Sequence, residues 1–172
     1  ALTPSLIPLE SNSPLCPALQ GLSLKNVAIT INDANGRAIY RDFGEMMFTH
    51  FGLTGPMILS ASAHLPDIAP DKYTAYIDLK PALDEKTLDA RLLSDFAKYQ
   101  NKDFLNSLGD LLPQKMIPVM VELSGIPERQ HVAIYEVVVS AFLGRNHVHV
   151  LQLADLVGAH PAVLPCDRVA LH

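Results

Sequence analysis

Several signals are missing from this chain, and each absence excludes a class. No Gly-x-Gly-x-x-Gly follows a strand and no Gly-x-x-x-x-Gly-Lys-[Ser/Thr] occurs, so the chain carries no phosphate cradle for a dinucleotide or nucleotide. Neither Gly-x-Ser-x-Gly nor His-Glu-x-x-His is present, which removes the commonest hydrolase signatures. The two cysteines, Cys16 and Cys166, lie far apart with no Cys-x-x-Cys, and read as reduced or buried thiols, not a disulfide framework or zinc site. No apolar run reaches membrane length; Val132 to Leu143 is short and is interrupted by Glu136. Positive charge is also scarce. With 13 Lys and Arg against 18 Asp and Glu, the net charge is −5, leaving no electrostatic footprint for nucleic acid or an anionic membrane. The opening residues show no secretory leader and the lack of an initiator methionine suggests an excised piece, with the cytoplasm as the default location.

What is present is length for one good core or two small subdomains, 172 residues, and an unusually apolar composition. Hydrophobic residues make up 49% and mean hydropathy is +0.19. That excess suggests surface to be covered by the rest of a larger protein or by a second subunit.

The most informative stretch is Gly44-Glu45-Met46-Met47-Phe48-Thr49-His50-Phe51-Gly52-Leu53-Thr54-Gly55-Pro56. It begins as a strand, with Met46, Phe48 and His50 on one face and Met47, Thr49 and Phe51 on the other. Gly52 allows a sharp change of direction, and Gly55-Pro56 opens a helix over about 56 to 64. Backbone N–H groups at such a helix start can receive an anion or an electron-rich ligand edge. The simpler reading is a well-built corner that binds nothing, with His50 half buried. Glu45 and His50 fall on opposite faces, so a direct acid/base pair between them is not expected.

The same run resembles the signature of the YhiN/BaiN-like family of FAD-dependent oxidoreductases, Gly-Glu-x-Leu-Phe-Thr-His-x-Gly-Leu-Ser-Gly-Pro, with Thr54 where serine is frequent. Ala1 to Leu9, Gly21 to Val27, Ile77-Asp78-Leu79-Lys80-Pro81, Leu111 to Lys115 and Leu123-Ser124-Gly125 also look like that family, so the resemblance covers about residues 1 to 126. It implies a domain inserted between the two halves of a nucleotide-binding fold, in a parent that moves electrons between a nicotinamide nucleotide and an organic acceptor through FAD. It further implies that this portion covers the substrate side of the flavin. Thr49, His50, Gly52, Thr54, Gly55 and Pro56 are the candidate contact residues, and His50 is the candidate catalytic one. His50 is the side chain among them able to exchange a proton near neutral pH. The implied partners are the FAD/NAD(P)-binding domain of the same parent chain and a small-molecule substrate, without nucleic acid or membrane. The isolated chain is expected to hold no FAD and to turn nothing over. A non-catalytic protein-binding or assembly module is the alternative.

The fold class is α+β: a small, mostly antiparallel β-barrel-like subdomain over 1–80, then a helical subdomain over 81–126, with 127–172 a tail of helix and strand. A strand from about Leu22 to Asn32 turns at Asp33-Ala34-Asn35-Gly36 into a return strand from Arg37. Tyr73 to Leu79 alternates again. Asp84 caps a helix carrying Leu88, Leu92 and Phe96 to about Tyr99; a short helix follows, and Pro113 opens a third that Pro118 should bend. His147 and His149, at i, i+2 on a strand, offer two metal ligands with His160 or Asp155 as a third. Such a pair is more often simply solvated, and no metal is expected.

Overall fold

The structure, a computed structural model, describes residues 5–66, 72–129, 151–154 and 169–170. They form two compact units. The first holds the described residues of 1–81 together with the strands at 151–154 and 169–170; the second holds those of 82–129.

The first unit is a seven-stranded sheet in which every pairing is antiparallel. In chain order its elements are β1 (Leu9–Glu10), α1 (Leu15–Ala18), β2 (Ser23–Asp33), β3 (Ala38–Phe48), β4 (Gly52–Thr54), α2 (Pro56–Ser62), β5 (Tyr73–Asp78), β6 (Leu151–Ala154) and β7 (Val169–Ala170). The spatial order is β1-β4-β3-β2-β5-β6-β7. The sheet curls in a barrel-like manner, and the fold class is α+β.

The long β2–β3 hairpin is set by its turn. Gly36 at φ +79 takes the left-handed position, its N–H donates to the Asp33 carbonyl at 2.9 Å, and Asp33 Oδ1 accepts from the N–H groups of Asn35 and Arg37, both at 2.9 Å. A second device lies inside β2. Asn26 sits at φ +57, and the pairing shifts register between Leu24 and Val27. This bulge changes the parity of the strand, so Leu24 before it and Val27, Ile29 and Ile31 after it all point into the core. Against them pack Met46 and Phe48 of β3, Tyr73, Ala75 and Ile77 of β5, and Met57, Ile58 and Ala61 of α2, all buried. Cys16 of α1 is buried too, and burial pushes its thiol up, which keeps it unreactive.

The tail returns to this sheet: β6 pairs with β5 and β7 with β6. The strand expected at 147–150 lies outside the described residues, as do His147, His149, His160 and Asp155.

The second unit is helical: α3 (Glu85–Lys98), α4 (Phe104–Ser107) and α5 (Ile117–Ser124). Asp84 caps α3, accepting from the Thr87 N–H at 2.7 Å, and Leu88, Leu92 and Phe96 are buried along one stripe. Phe96 meets Phe104 with ring centroids 6.0 Å apart. The third helix starts later than expected, at Ile117, because 113–116 form a turn closed by the Met116 N–H on the Pro113 carbonyl at 2.8 Å. Pro118 therefore sits in the first helical turn, where its missing N–H costs nothing, and no bend follows. Gly125 at φ +68 ends the helix.

Two carboxylates give this unit a pH dependence. The Thr87 side chain and then its N–H hold Asp84 below the usual carboxylate range, and Lys98 and Tyr99 do the same for Asp110. Lowered folded values stabilise the unit above the unfolded value of about 4 and lose that contribution as pH falls through the folded values. The urea midpoint of the helical signal is expected to fall on acidification below about pH 5, and less steeply in D84N and D110N.

Candidate functional site: the corner at residues 49–56

β3 ends at Phe48, three residues before the sequence pattern, which alternates through Phe51, places its end. The Thr49 N–H donates to the Gly52 carbonyl at 2.8 Å, and the chain turns back as β4, pairing Phe48 with Leu53 and Met47 with Thr54. The corner is therefore a tight β-turn, a three-residue strand and then α2, where the pattern suggests a strand, a tight turn and a helix with no strand between the last two. His50 and Phe51 consequently lie in the turn and do not continue the strand's alternation.

Each candidate residue has a distinct place. His50 is exposed, its ring meeting Phe51 edge-on at 4.9 Å between centroids. Thr49 is half-buried, and its Oγ1 is shielded from solvent with no hydrogen-bond partner among the described residues. Such an atom is costly to leave unsatisfied, on the order of 1–3 kcal/mol. Gly52 is buried against β1; a Cβ there would run into the Leu9 carbonyl oxygen and stand 2.7 Å from Glu10 Cα and 2.8 Å from Ser11 N. Gly55, at φ +107, is the N-cap of α2, and a Cβ would lie 2.9 Å from Met46 Cα. Thr54 is half-buried on β4, and Pro56 is exposed at the first turn of α2.

The two glycines thus fit backbone to backbone, while His50 and Pro56 present the outward surface and Thr49 an unsatisfied oxygen behind it. Glu45 points elsewhere, forming an exposed pair with Lys25 at 3.4 Å. No phosphate cradle accompanies the corner, so a flavin pyrophosphate would have to be held by other residues than these. Among the described residues no group of three or more His, Cys, Asp or Glu is placed to hold a metal, and no helix is long and apolar enough to cross a membrane.

A polar cluster that the sequence pattern did not reveal lies farther along α2. The Tyr40 hydroxyl donates to Asp42 Oδ2 at 2.7 Å, the His64 ring stacks on Tyr40 at 5.0 Å, and His64 Nδ1 is 2.9 Å from the Ser60 carbonyl. Burial raises the Tyr40 phenol above its usual value, and the Asp42 carboxylate adds to this while the Ser60 side chain opposes it. The only local signal was Tyr40 and Asp42 sharing a strand face.

With the barrel-like sheet, the helices and the corner in place, the comparison with known families is decisive. The family model described as HI0933-like protein barrel and H2TH domain matches residues 3–143. This chain belongs to that family. The HI0933-like match confirms the flavoprotein family expected from the signature run, and it extends past residue 126, where the motif resemblance stops. A relative from Escherichia coli (strain K12), named ribosomal RNA dihydrouridine synthase, is 29% identical over 123 residues. The alignment covers 72% of this chain but only 28% of that protein, so the chain spans little more than a quarter of this relative's length.

Proposed function

We propose that this HI0933-like domain is the substrate-side insert of an FAD-dependent, NAD(P)-linked oxidoreductase, and that its parent reduces a nucleobase double bond in RNA. The observation that carries the first part is the corner: its one exposed titratable side chain, His50, sits on a turn that two sterically required glycines fix in place. The substrate class is supported by the relative named for its action on ribosomal RNA. The acidic balance of this domain, net −5, favours a small free substrate instead, unless a basic surface for RNA lies on the rest of the parent.

FAD, once held by the nucleotide-binding part of the parent and reduced by NAD(P)H, would supply the hydride. The roles left to this chain are orientation and proton supply. His50 holds a proton at a ring nitrogen and delivers it to the carbon that does not receive hydride. Thr49 Oγ1, which lacks a partner among the described residues, positions a polar edge of substrate or cofactor. The rigid β1–β4 contact at Gly52 keeps both in register.

The test is the full-length protein purified with its flavin, reduced by NADPH and offered single-stranded uridine-containing RNA or free uridine. The expected result is flavin reoxidation by RNA, with two hydrogens gained per modified base. Reoxidation by the free compound alone would establish the small-molecule reading. A full-length protein that holds no flavin would sink both.

A further inference from the structure

An exposed histidine on a turn has to be aimed before it can deliver a proton. His50 is exposed, and neither of its ring nitrogens has a hydrogen-bond partner among the described residues. Such a side chain, left to itself, spreads over its staggered rotamers, and only part of the population points a nitrogen at a given place. The contact that restricts it comes from its own neighbour. The Phe51 ring stands 4.9 Å from the imidazole between centroids at an interplanar angle of 87°, the edge-to-face arrangement that aromatic quadrupoles favour. We infer that Phe51 is a positioning residue for His50: its ring holds the imidazole in one orientation and leaves both nitrogens free.

The backbone brings the two rings together. Successive residues of a strand point to opposite faces, so neighbours within β3 could not meet in this way. The Thr49 N–H bond to the Gly52 carbonyl, at 2.8 Å, places His50 and Phe51 at the two central positions of a tight turn, where that alternation lapses. Phe51 is the anchored member of the pair. It is half-buried, and its carbonyl accepts from the Ser11 N–H at 2.7 Å. Ser11 is buried in its turn. Its Oγ accepts from the Ser13 N–H at 3.2 Å, and Ser13 Oγ accepts from the Leu15 N–H at 3.1 Å, so the segment that holds Phe51 is tied back to the start of α1. On the other side of Phe51, Gly52 lies against Leu9 to Ser11 with no room for a methyl group. The ring offered to His50 is therefore fixed in place.

The kind of contact matters as much as its rigidity. A carboxylate or carbonyl that oriented His50 would occupy one of its nitrogens. His64 shows that alternative: its ring also meets an aromatic, Tyr40, but its Nδ1 is engaged with the Ser60 carbonyl at 2.9 Å. A hydrocarbon ring orients His50 and takes neither nitrogen. The imidazole can then give its proton to the carbon that does not take hydride and recover one from water. That use of His50 rests on the function proposed above; the ring pair does not.

The experiment is a double-mutant cycle in the full-length flavoprotein, reduced by NADPH and reoxidised by whichever of single-stranded uridine-containing RNA and free uridine oxidises the wild type. Phe51→Ala is expected to slow reoxidation at saturating substrate about fivefold, with KM within about twofold, the population effect of one edge-to-face pair. Phe51→Tyr keeps the ring and should retain the wild-type rate, whereas Phe51→Leu fills the space without a ring and should not. In the H50A background, Phe51→Ala should cause no further loss. Flavin content and reduction by NADPH should stay at wild-type level in every variant. Isotope-labelled histidine gives a readout independent of turnover: the His50 ring signal in the magnetic resonance spectrum, identified by its absence in H50A, should shift in F51L and hold its position in F51Y. Wild-type reoxidation by both F51A and F51L, with H50A slow, would overturn the inference and leave the proposed role of His50 standing. An equal loss from F51A with and without His50 would also overturn it, because Phe51 would then act on the substrate or the fold directly. An unshifted His50 signal in F51L would overturn the ring contact itself. A wild type that neither compound reoxidises, or an H50A variant as fast as wild type, would overturn the function proposed above and the positioning role with it.

Discussion

Gly52→Ala is expected to destabilise the sheet-forming unit by about 3 kcal/mol or more, among the largest effects of any single methyl group in this chain. The new Cβ would meet backbone and not a side chain that can swing away: the Leu9 carbonyl, Glu10 Cα at 2.7 Å and Ser11 N at 2.8 Å. Relief requires β1 to leave β4, which breaks the Leu9–Leu53 and Glu10–Gly52 pairing at one edge of the sheet. Thermal unfolding followed by circular dichroism should show a midpoint lowered by about 10 °C, given roughly 2–4 °C per kcal/mol for a chain of this size. A change within a degree would mean that the close β1–β4 approach does not constrain the corner.

Phe48→Ala should cost about 3–5 kcal/mol, the range for removing a fully buried aromatic ring. The side chain is 0% exposed, and the residue is the last of β3, where it is tied twice through its backbone. Its carbonyl accepts from the Gly21 N–H at 2.8 Å and its N–H donates to the Leu22 carbonyl at 3.0 Å. The cavity would therefore open at the joint between β3, the corner and the segment leading into β2. Phe48→Leu should recover more than half of the loss, since most of the volume returns. Equilibrium urea unfolding of the three proteins measures both numbers. Equal stability of the alanine and leucine variants would show that packing volume is not what Phe48 contributes.

The alternating residues of β5, the Leu88–Leu92–Phe96 stripe and the Asp33–Gly36 turn were all legible because each obeys a local period or a turn chemistry that needs no partner to be recognised. The features that were not legible depend on pairing. Asn26 gives no signal as a bulge until Leu24 and Val27 are both seen facing the core. The end of β3 at Phe48 is decided by the Thr49–Gly52 hydrogen bond, which the hydrophobic alternation through Phe51 conceals. Likewise Pro113 looks like a helix start, and only the turn that follows it moves the helix to Ile117 and makes Pro118 harmless. At the corner, the motif marked Gly52 and Gly55 without revealing the steric reason that the backbone requires them. Gly52 and Gly55 leave space for strands β1 and β3, and the polar outer edge is left to Thr49 and His50.

The central claim is that the His50 edge faces the reacting groups of a flavin-bearing parent. It is tested most directly by His50→Ala in the full-length protein, with flavin content, thermal midpoint, flavin reduction by NADPH and flavin reoxidation by substrate all measured. Because His50 is exposed, the first three should match wild type, the midpoint to within about 2 °C. Reoxidation should slow by about 100-fold, in line with loss of a positioned proton donor. Reoxidation at the wild-type rate would contradict the account.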